Sequence, residues 1–177
     1  MNQAERVSDI FTRIITRVMS PDAGCPAEDI TPVQLHAMRH IAQHGTCTVG
    51  CLAEGLSVTQ PASTMLIDRM VKRELVRRDP GRSDRRQSEL TLTPHGHDLL
   101  ARVEAERTER LSGILDLMSP KERDAFIRSL EGFIAAALKF DRGAGEAACL
   151  RCGTEHTQDC IVNRLHRELS GENMDKV

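Results

Sequence analysis

The chain has 177 residues, a net charge of −2, four Phe and no Trp or Tyr. This length suits one domain with its own core, so the six cysteines are not needed as disulfide staples. Scarce aromatic residues disfavour a strand-rich fold, and neither an apolar run of about 20 residues nor a secretory signal is present, so we expect a mainly helical, cytoplasmic protein without membrane contact.

Two amphipathic helices are predicted in the first quarter of the chain. The first covers residues 2–19, where apolar side chains recur at spacings of three and four: Val7, Ile10, Phe11, Ile14, Ile15 and Val18. A loop rich in Pro and Gly follows, and Thr31 with Pro32 is typical of a helix start. The inner face of this second helix is predicted to be Leu35, Met38, Ile41 and Ala42.

Two shorter helices are predicted next. One runs from about Thr48 to Leu56, and the other is capped by Thr59 after the turn "SV". The periodicity of the latter predicts an inner face made of Met65, Leu66, Met70 and Val71. Two helices joined by such a tight turn are typical of a helix-turn-helix.

A hairpin and three further helices complete the prediction. The segments "LVRRD" and "QSELTLT" have strand character, and "PGRSDRR" between them is typical of a hairpin tip. Thr93 with Pro94 predicts a long helix to about Met118, and Ser119 with Pro120 predicts another ending near Phe140. In that helix Phe126, Phe133 and Phe140 recur every seven residues, which indicates a packing seam in the core and a dimer interface, and "TQDCIVNRLHREL" predicts a short final helix.

Positive charge is concentrated around the predicted helix-turn-helix and hairpin. The segment from Ser57 to Leu90 carries +3, whereas the rest of the chain carries −5. A short polar helix followed by a basic hairpin fits a winged helix-turn-helix, whose second helix enters the major groove of double-stranded DNA. A solvated helix beside an ordinary loop is the alternative, but the charges coincide with helix and hairpin in the order that DNA binding requires.

The predicted DNA contacts divide into three groups. Base edges in the major groove would be met by residues at the start of the helix capped by Thr59, namely Thr59, Gln60, Ala62, Ser63 and Thr64. Arg69 and Lys72, one to two turns later, would contact phosphates. Arg82, Arg85 and Arg86 would be carried by the hairpin towards the minor groove, with Arg82 also reaching a phosphate.

The stretch "LAEGLSVTQPASTMLIDRMVKRELVRRDPGRSDRRQSELTLTPHGHDLL" resembles the core of the MarR family of regulators. Its shared features are the Leu-Ala helix start, "DRMVKRELVRR", the wing "DRR" and "LTLTPHG". The resemblance implies a homodimer, assembled through the first helix and the last two, that binds pseudo-palindromic operators, most often as a repressor. It also implies that Arg85 contacts the minor groove, whereas Asp84 and Arg86 can instead support the wing through ion pairs.

The segment "CLRCGTEHTQDC" brings three cysteines and a histidine together near the end of the chain. Cys149 and Cys152 have the C-x-x-C spacing of zinc and iron–sulfur sites, and Cys160 adds a third thiolate. His156 would complete a zinc set, whereas Cys25 would supply a fourth thiolate for an iron–sulfur cluster. A thiol–disulfide switch and an inert tail are the alternatives.

The remaining cysteines and one group of histidines have plainer interpretations. Cys47 and Cys51, on the edge of the first short helix, are interpreted as small packing residues. His36, His40 and His44 form a stripe on the second helix that could hold a metal, but a solvated polar face is the favoured interpretation.

The sequence therefore predicts a mainly α (α+β) winged helix-turn-helix protein with long dimerisation helices. Its predicted parts are the N-terminal dimerisation helix and Cys25 loop (1–30), the DNA-binding region (31–93), the C-terminal dimerisation helices (94–142) and the Cys-rich extension (143–177). The predicted function is a non-enzymatic transcriptional regulator that senses metal or redox state through the cysteines. The alternatives are regulation by a small apolar or phenolic molecule, with a structural zinc tail, and a thiol oxidoreductase using Cys149 and Cys152.

Overall fold

The computed structural model describes residues 2–19, 30–44, 47–81, 88–141 and 160–171. Within these ranges the chain forms seven helices and three short strands. In chain order they are α1 (Gln3–Met19), α2 (Pro32–Gln43), β1 (Cys47–Thr48), α3 (Val49–Leu56), α4 (Gln60–Lys72), β2 (Val76–Pro80), β3 (Ser88–Leu92), α5 (Pro94–Asp116), α6 (Pro120–Phe140) and α7 (Ile161–Ser170). The predicted mainly helical winged fold is confirmed.

Side-chain caps begin most of these helices. An N-cap hydroxyl accepts a hydrogen bond from the backbone N–H three residues later in five of them, at Thr31, Thr48, Thr59, Thr93 and Ser119. Such caps satisfy backbone donors that have no partner within the helix, which is why the local sequence located these starts within a residue or two.

The three strands form one antiparallel sheet in the order β1–β3–β2. In the predicted hairpin, Val76 lies opposite Leu92 and Pro80 opposite Ser88. Strand β1 was not predicted, because a strand of two residues shows no periodic pattern. It pairs with β3, where Cys47 lies opposite Leu90. The sheet therefore connects the segment between α2 and α3 to the base of the hairpin.

The hydrophobic core lies between α2, α3, α4, the sheet and the first half of α5. Its fully buried large side chains include Met38, Leu52, Ile67, Met70, Leu75, Leu90 and Leu99. Helix α5 begins so close to the segment before β2 that a methyl group at Gly96 would overlap the carbonyl oxygen of Leu75. The buried guanidinium of Arg39 in α2 pairs with Glu104, which holds α5 against the core.

Two predicted inner faces need correction. Leu35, Met38 and Ile41 of α2 are buried as predicted, whereas Ala42 is exposed. In α4, Leu66 and Met70 are buried, but Met65 is 57% exposed and Val71 is 37% exposed. Ser63 and Ile67 take their places, because the face of α4 that meets α3 is rotated relative to the predicted one.

The long helices expose apolar side chains in the single chain. Val7, Ile10, Phe11 and Ile14 of α1 are all at least 40% exposed, and Phe133 and Phe140 of α6 are 70% and 95% exposed. Phe133 and Phe140 thus lie outside the core to which the seven-residue seam was assigned. Phe126 instead packs against Phe11, with ring centroids 6.3 Å apart and the ring planes tilted by 60°. None of the helices in the described ranges is long and apolar enough to cross a membrane.

Candidate nucleic-acid interface

Helices α3 and α4 form a helix-turn-helix joined by three residues, Ser57, Val58 and Thr59. Helix α3 ends at Leu56, and its C-cap Ser57 has a left-handed backbone (φ 54°). The N–H of Val58 donates to the carbonyl of Ala53 at 2.9 Å, and Thr59 then caps α4. This turn places the two helices in direct contact.

The contact between the helices includes a buried hydrogen bond. The hydroxyl of Ser63 donates to the carbonyl oxygen of Val49 at 3.0 Å, and Ser63 has no exposed surface. This corrects the prediction that Ser63 meets base edges. A serine at this position packs against the backbone of α3, so its role is to position α4.

The other predicted contacts on α4 lie at the surface. The residues in this group are all exposed: Thr59, Gln60, Ala62, Thr64, Arg69 and Lys72. Met65 was missed as a surface residue. Helical periodicity could have found it, because Ser63, Leu66 and Ile67 define the buried face and position 65 then points away from it.

The hairpin is tied to α4 and internally by ion pairs. Arg78 of β2 pairs with Asp68 of α4 at 2.7 Å. Arg77 donates to Asp79 at 2.9 Å and to the hydroxyl of Thr91 at 2.8 Å. These exposed pairs contribute little stability individually. The Arg78–Asp68 pair joins β2 to α4, and the bonds of Arg77 join residues within the hairpin.

The tip of the hairpin, residues 82–87, lies outside the described residues. Arg82, Arg85 and Arg86 belong to this segment, as does Asp84. Their contacts with the minor groove therefore stay predictions. The described strands on either side, β2 and β3, form a two-stranded ribbon, and β2 contacts α4.

A second cluster lies beneath the helix-turn-helix. The side chains of His40, Cys47 and Cys51 approach one another so that their nitrogen and sulfur atoms all lie within 4.8 Å. His40 is 4% exposed, so the predicted solvated histidine stripe is wrong for this residue, whereas the packing role of Cys47 in the core is confirmed. The ring of His44 stacks on that of His40, with centroids 4.1 Å apart.

Hydrogen bonds shift the pKa values of the two thiols in opposite directions. The bond with Cys47, followed by the bond with His40 at 3.4 Å, lowers the pKa of Cys51 to about 4. The same bond to Cys51, together with burial, raises the pKa of Cys47. The pair therefore favours a Cys51 thiolate that accepts from a Cys47 thiol.

Most of the predicted C-terminal cluster lies outside the described residues. This applies to Cys149, Cys152 and His156 as well as to Cys25. Cys160 is described: it is half-buried and immediately precedes α7. The structure therefore does not test whether these five residues form a metal site.

Comparison with known proteins gives a consistent result. The MarR family model matches residues 30–88. The chain is 33% identical over 101 residues to the uncharacterized HTH-type transcriptional regulator YsmB of Bacillus subtilis, a match that covers 57% of this chain and 69% of YsmB. It is 30% identical over 95 residues to the HTH-type transcriptional repressor MdtR of the same organism, covering 54% of this chain and 61% of MdtR.

Solved structures show the same fold. MepR, a transcription regulator of the Staphylococcus aureus multidrug efflux pump MepA, superposes with a TM-score of 0.67 at 18% identity and covers 77% of this chain and 99% of its own. RV1404 from Mycobacterium tuberculosis superposes with a TM-score of 0.65 at 26% identity, covering 77% of this chain and 95% of its own.

Proposed function

Because this chain belongs to the MarR family of DNA-binding transcriptional regulators, we propose that it binds a pseudo-palindromic operator as a homodimer and represses transcription. Regulation of transcription, rather than catalysis, is the activity of its relatives. Repression is supported by the likeness to MdtR, which is a transcriptional repressor.

The exposed face of α4 is the observation that carries this proposal. Thr59 and Gln60 lie at the start of the helix, where the helix dipole favours negative charge and where a glutamine can pair with adenine. Arg69 and Lys72 lie in its last turn with their side chains at the surface. The helix thus offers base contacts at one end and phosphate contacts at the other.

The hairpin would extend this interface into the adjacent minor groove. Arg77 and Arg78 are exposed on β2, and Arg82, Arg85 and Arg86 follow in the tip. Since arginine responds to the potential of a narrow minor groove, Arg85 would read groove width while the helix reads bases.

The proposed homodimer is supported by the apolar faces of α1 and α6. Both helices expose several large apolar side chains, and contiguous exposed patches of this kind on a single chain usually mark an interface. A two-fold axis through these helices would present two α4 helices to the two halves of a palindrome.

The inducing signal is proposed to act through the C-terminal cysteines, with zinc or an iron–sulfur cluster bound by Cys149, Cys152 and Cys160 together with Cys25 or His156. Support comes from the position of α7. Cys160 precedes this helix, which packs on α6, and Arg164 of α7 pairs with Glu131 of α6 at 3.5 Å. Metal binding or oxidation at Cys160 would therefore act on a proposed dimerisation helix and shift the spacing of the two α4 helices.

Regulation by a small molecule is the second candidate. MepR has been solved with ethidium bromide bound, in a structure that superposes on this chain with a TM-score of 0.58 at 18% identity. An apolar or aromatic cation bound between the dimerisation helices and the DNA-binding unit would alter the same spacing.

Fluorescence anisotropy on a duplex selected from a random pool tests DNA binding. The double variant Arg69→Ala, Lys72→Ala removes up to four phosphate contacts per dimer, so the slope of log Kd against log salt should fall by about 3 to 4. A matched variant, Lys121→Ala, Arg128→Ala, removes two exposed charges from α6 and should leave the slope unchanged. Equal slopes in all three proteins would refute the assignment of α4 as the DNA-binding helix.

The signal is tested by comparing operator affinity in chelated, zinc-loaded and oxidised protein, with and without Cys149→Ser, Cys152→Ser. A difference that disappears in the serine variant supports the cysteine sensor. Identical affinities in all three states reject it, and an ethidium-dependent loss of affinity that persists in the variant supports the small-molecule alternative.

A further inference from the structure

Three soft ligand groups converge beneath the helix-turn-helix from three separate elements. His40 lies in the last turn of α2, Cys47 in β1 and Cys51 in the first turn of α3. Their ligand atoms lie within 4.8 Å of one another. Among the described residues, this is the one group of three or more His, Cys, Asp or Glu side chains that lie close enough to share a metal ion.

We propose that His40, Cys47 and Cys51 form a zinc site that is distinct from the C-terminal cysteine cluster and fixes the base of the DNA-binding helix. None of the C-terminal cysteines that are proposed to receive the inducing signal belongs to this site. It is assigned to this chain from the geometry of these three residues.

The distances suit a tetrahedral ion. Zinc–sulfur bonds of about 2.3 Å and zinc–nitrogen bonds of about 2.0–2.1 Å place neighbouring ligand atoms about 3.5–3.8 Å apart. The Nε2 atom of His40 already lies 3.4 Å from the Sγ atom of Cys51. The remaining separations between ligand atoms are at most 4.8 Å, which is close to these values.

The charge balance of the site favours a divalent ion. Cys47 has no exposed surface and His40 is 4% exposed, so any net charge at this position would be costly. Two thiolates and one neutral imidazole around Zn²⁺ give a neutral complex, whereas Cu⁺ in the same set would leave a buried negative charge. A water molecule would complete the tetrahedron.

Metal binding here would be transmitted directly to α4. Cys47 and Cys51 flank Val49, whose carbonyl accepts the buried hydrogen bond from Ser63 of α4. The His40 ring packs so closely on α3 that a methyl group at Gly55 would overlap it. A bound ion would thus join α2, β1 and α3 into one rigid support for the DNA-binding helix.

The test uses full-length protein carrying Cys149→Ser, Cys152→Ser and Cys160→Ser, which removes the C-terminal thiols. After reduction and chelation, titration with Co²⁺ as a spectroscopic probe and with Zn²⁺ should show one equivalent per chain, with thiolate-to-cobalt absorption from two sulfurs. Zinc at about a hundredfold over its Kd should raise Tm by about 5–10 °C.

In this triple variant, the further substitution Cys51→Ser should abolish the zinc-dependent rise in Tm. It should also halve the thiolate-to-cobalt absorption at saturating cobalt, because one of the two sulfur ligands is gone. Because Cys51 is half-buried, this variant is expected to fold, as circular dichroism would verify; His40→Gln provides a second variant that retains both thiols. Cys47→Ser is avoided because it places a hydroxyl in the core.

The proposed site would be overturned if the C-terminal triple variant failed to bind one equivalent of zinc or cobalt. It would also be overturned if Cys51→Ser and His40→Gln both left metal binding unchanged. Binding of Cu⁺ but not Zn²⁺ would also overturn it. The titration needs no DNA, so its outcome is separate from that of the operator-binding experiments.

Discussion

The buried hydrogen bond from Ser63 to Val49 leads to a prediction that separates a positioning residue from a DNA contact. Ser63→Ala removes a hydroxyl that donates at 3.0 Å in an environment without solvent. A typical hydrogen bond contributes about 1 kcal/mol, and the higher helix propensity of alanine returns up to about 0.5 kcal/mol. Because Val49 also accepts the intrahelical bond of the first turn of α3, its carbonyl is not left unpaired.

The expected net loss is therefore about 0.5–1 kcal/mol in the free energy of unfolding, or about 1–4 °C in Tm. Operator affinity, measured by anisotropy well below the melting temperature, should change less than about twofold, which corresponds to about 0.4 kcal/mol.

Gln60→Ala is the matched control, because Gln60 is exposed on the same helix. It should change the free energy of unfolding by less than about 0.5 kcal/mol and weaken operator binding by about 1–3 kcal/mol. A Ser63→Ala protein with unchanged Tm and at least tenfold weaker binding would refute the positioning role.

Three further predictions concern packing, assembly and pH. Gly96→Ala should lower the free energy of unfolding by about 1–3 kcal/mol in urea titrations, because the added methyl group meets a backbone carbonyl; a change below 0.5 kcal/mol would contradict the close approach. Phe133→Glu should increase the monomer fraction in sedimentation velocity, whereas Arg128→Glu on the same helix should not; equal behaviour would reject α6 as an interface. Bonds from the hydroxyl and backbone N–H of Ser119 lower the pKa of Glu122, so its contribution to stability is present at neutral pH and lost as pH falls through that lowered pKa. Melts of Glu122→Gln should show reduced Tm at neutral pH and should converge with those of the parent protein in acid, below that pKa. A difference in Tm that stays constant with pH would contradict this.

The helix starts and the hairpin were predictable because their determinants are local. A threonine or serine followed by proline satisfies backbone donors within three residues, as at Thr31, Thr93 and Ser119, and needs no distant partner. The predicted strands likewise matched β2 and β3, since the change of period and the turn residues lie in one segment.

The side of α4 that faces the core could not be predicted from the local sequence. The periodic pattern allowed several apolar faces, and Met65 and Val71 were placed inside while Ser63 was placed at the DNA. Contact with α3 selected the face of Ser63, Leu66 and Ile67, because a small hydroxyl residue lets the two helices approach closely and still hydrogen-bond.

The amino-acid sequence by itself determined the order of the elements, the helix-turn-helix and the hairpin, because caps, turns and periodicity act over a few residues. Its motifs also carried the resemblance to a regulator family. The tertiary structure decided which of these residues meet. His40, Cys47 and Cys51 are separated by up to 11 positions and lie on α2, β1 and α3. Burial of the apolar face of α2 against α3 is what brings them within one coordination sphere, and that long-range packing is not encoded by any local spacing.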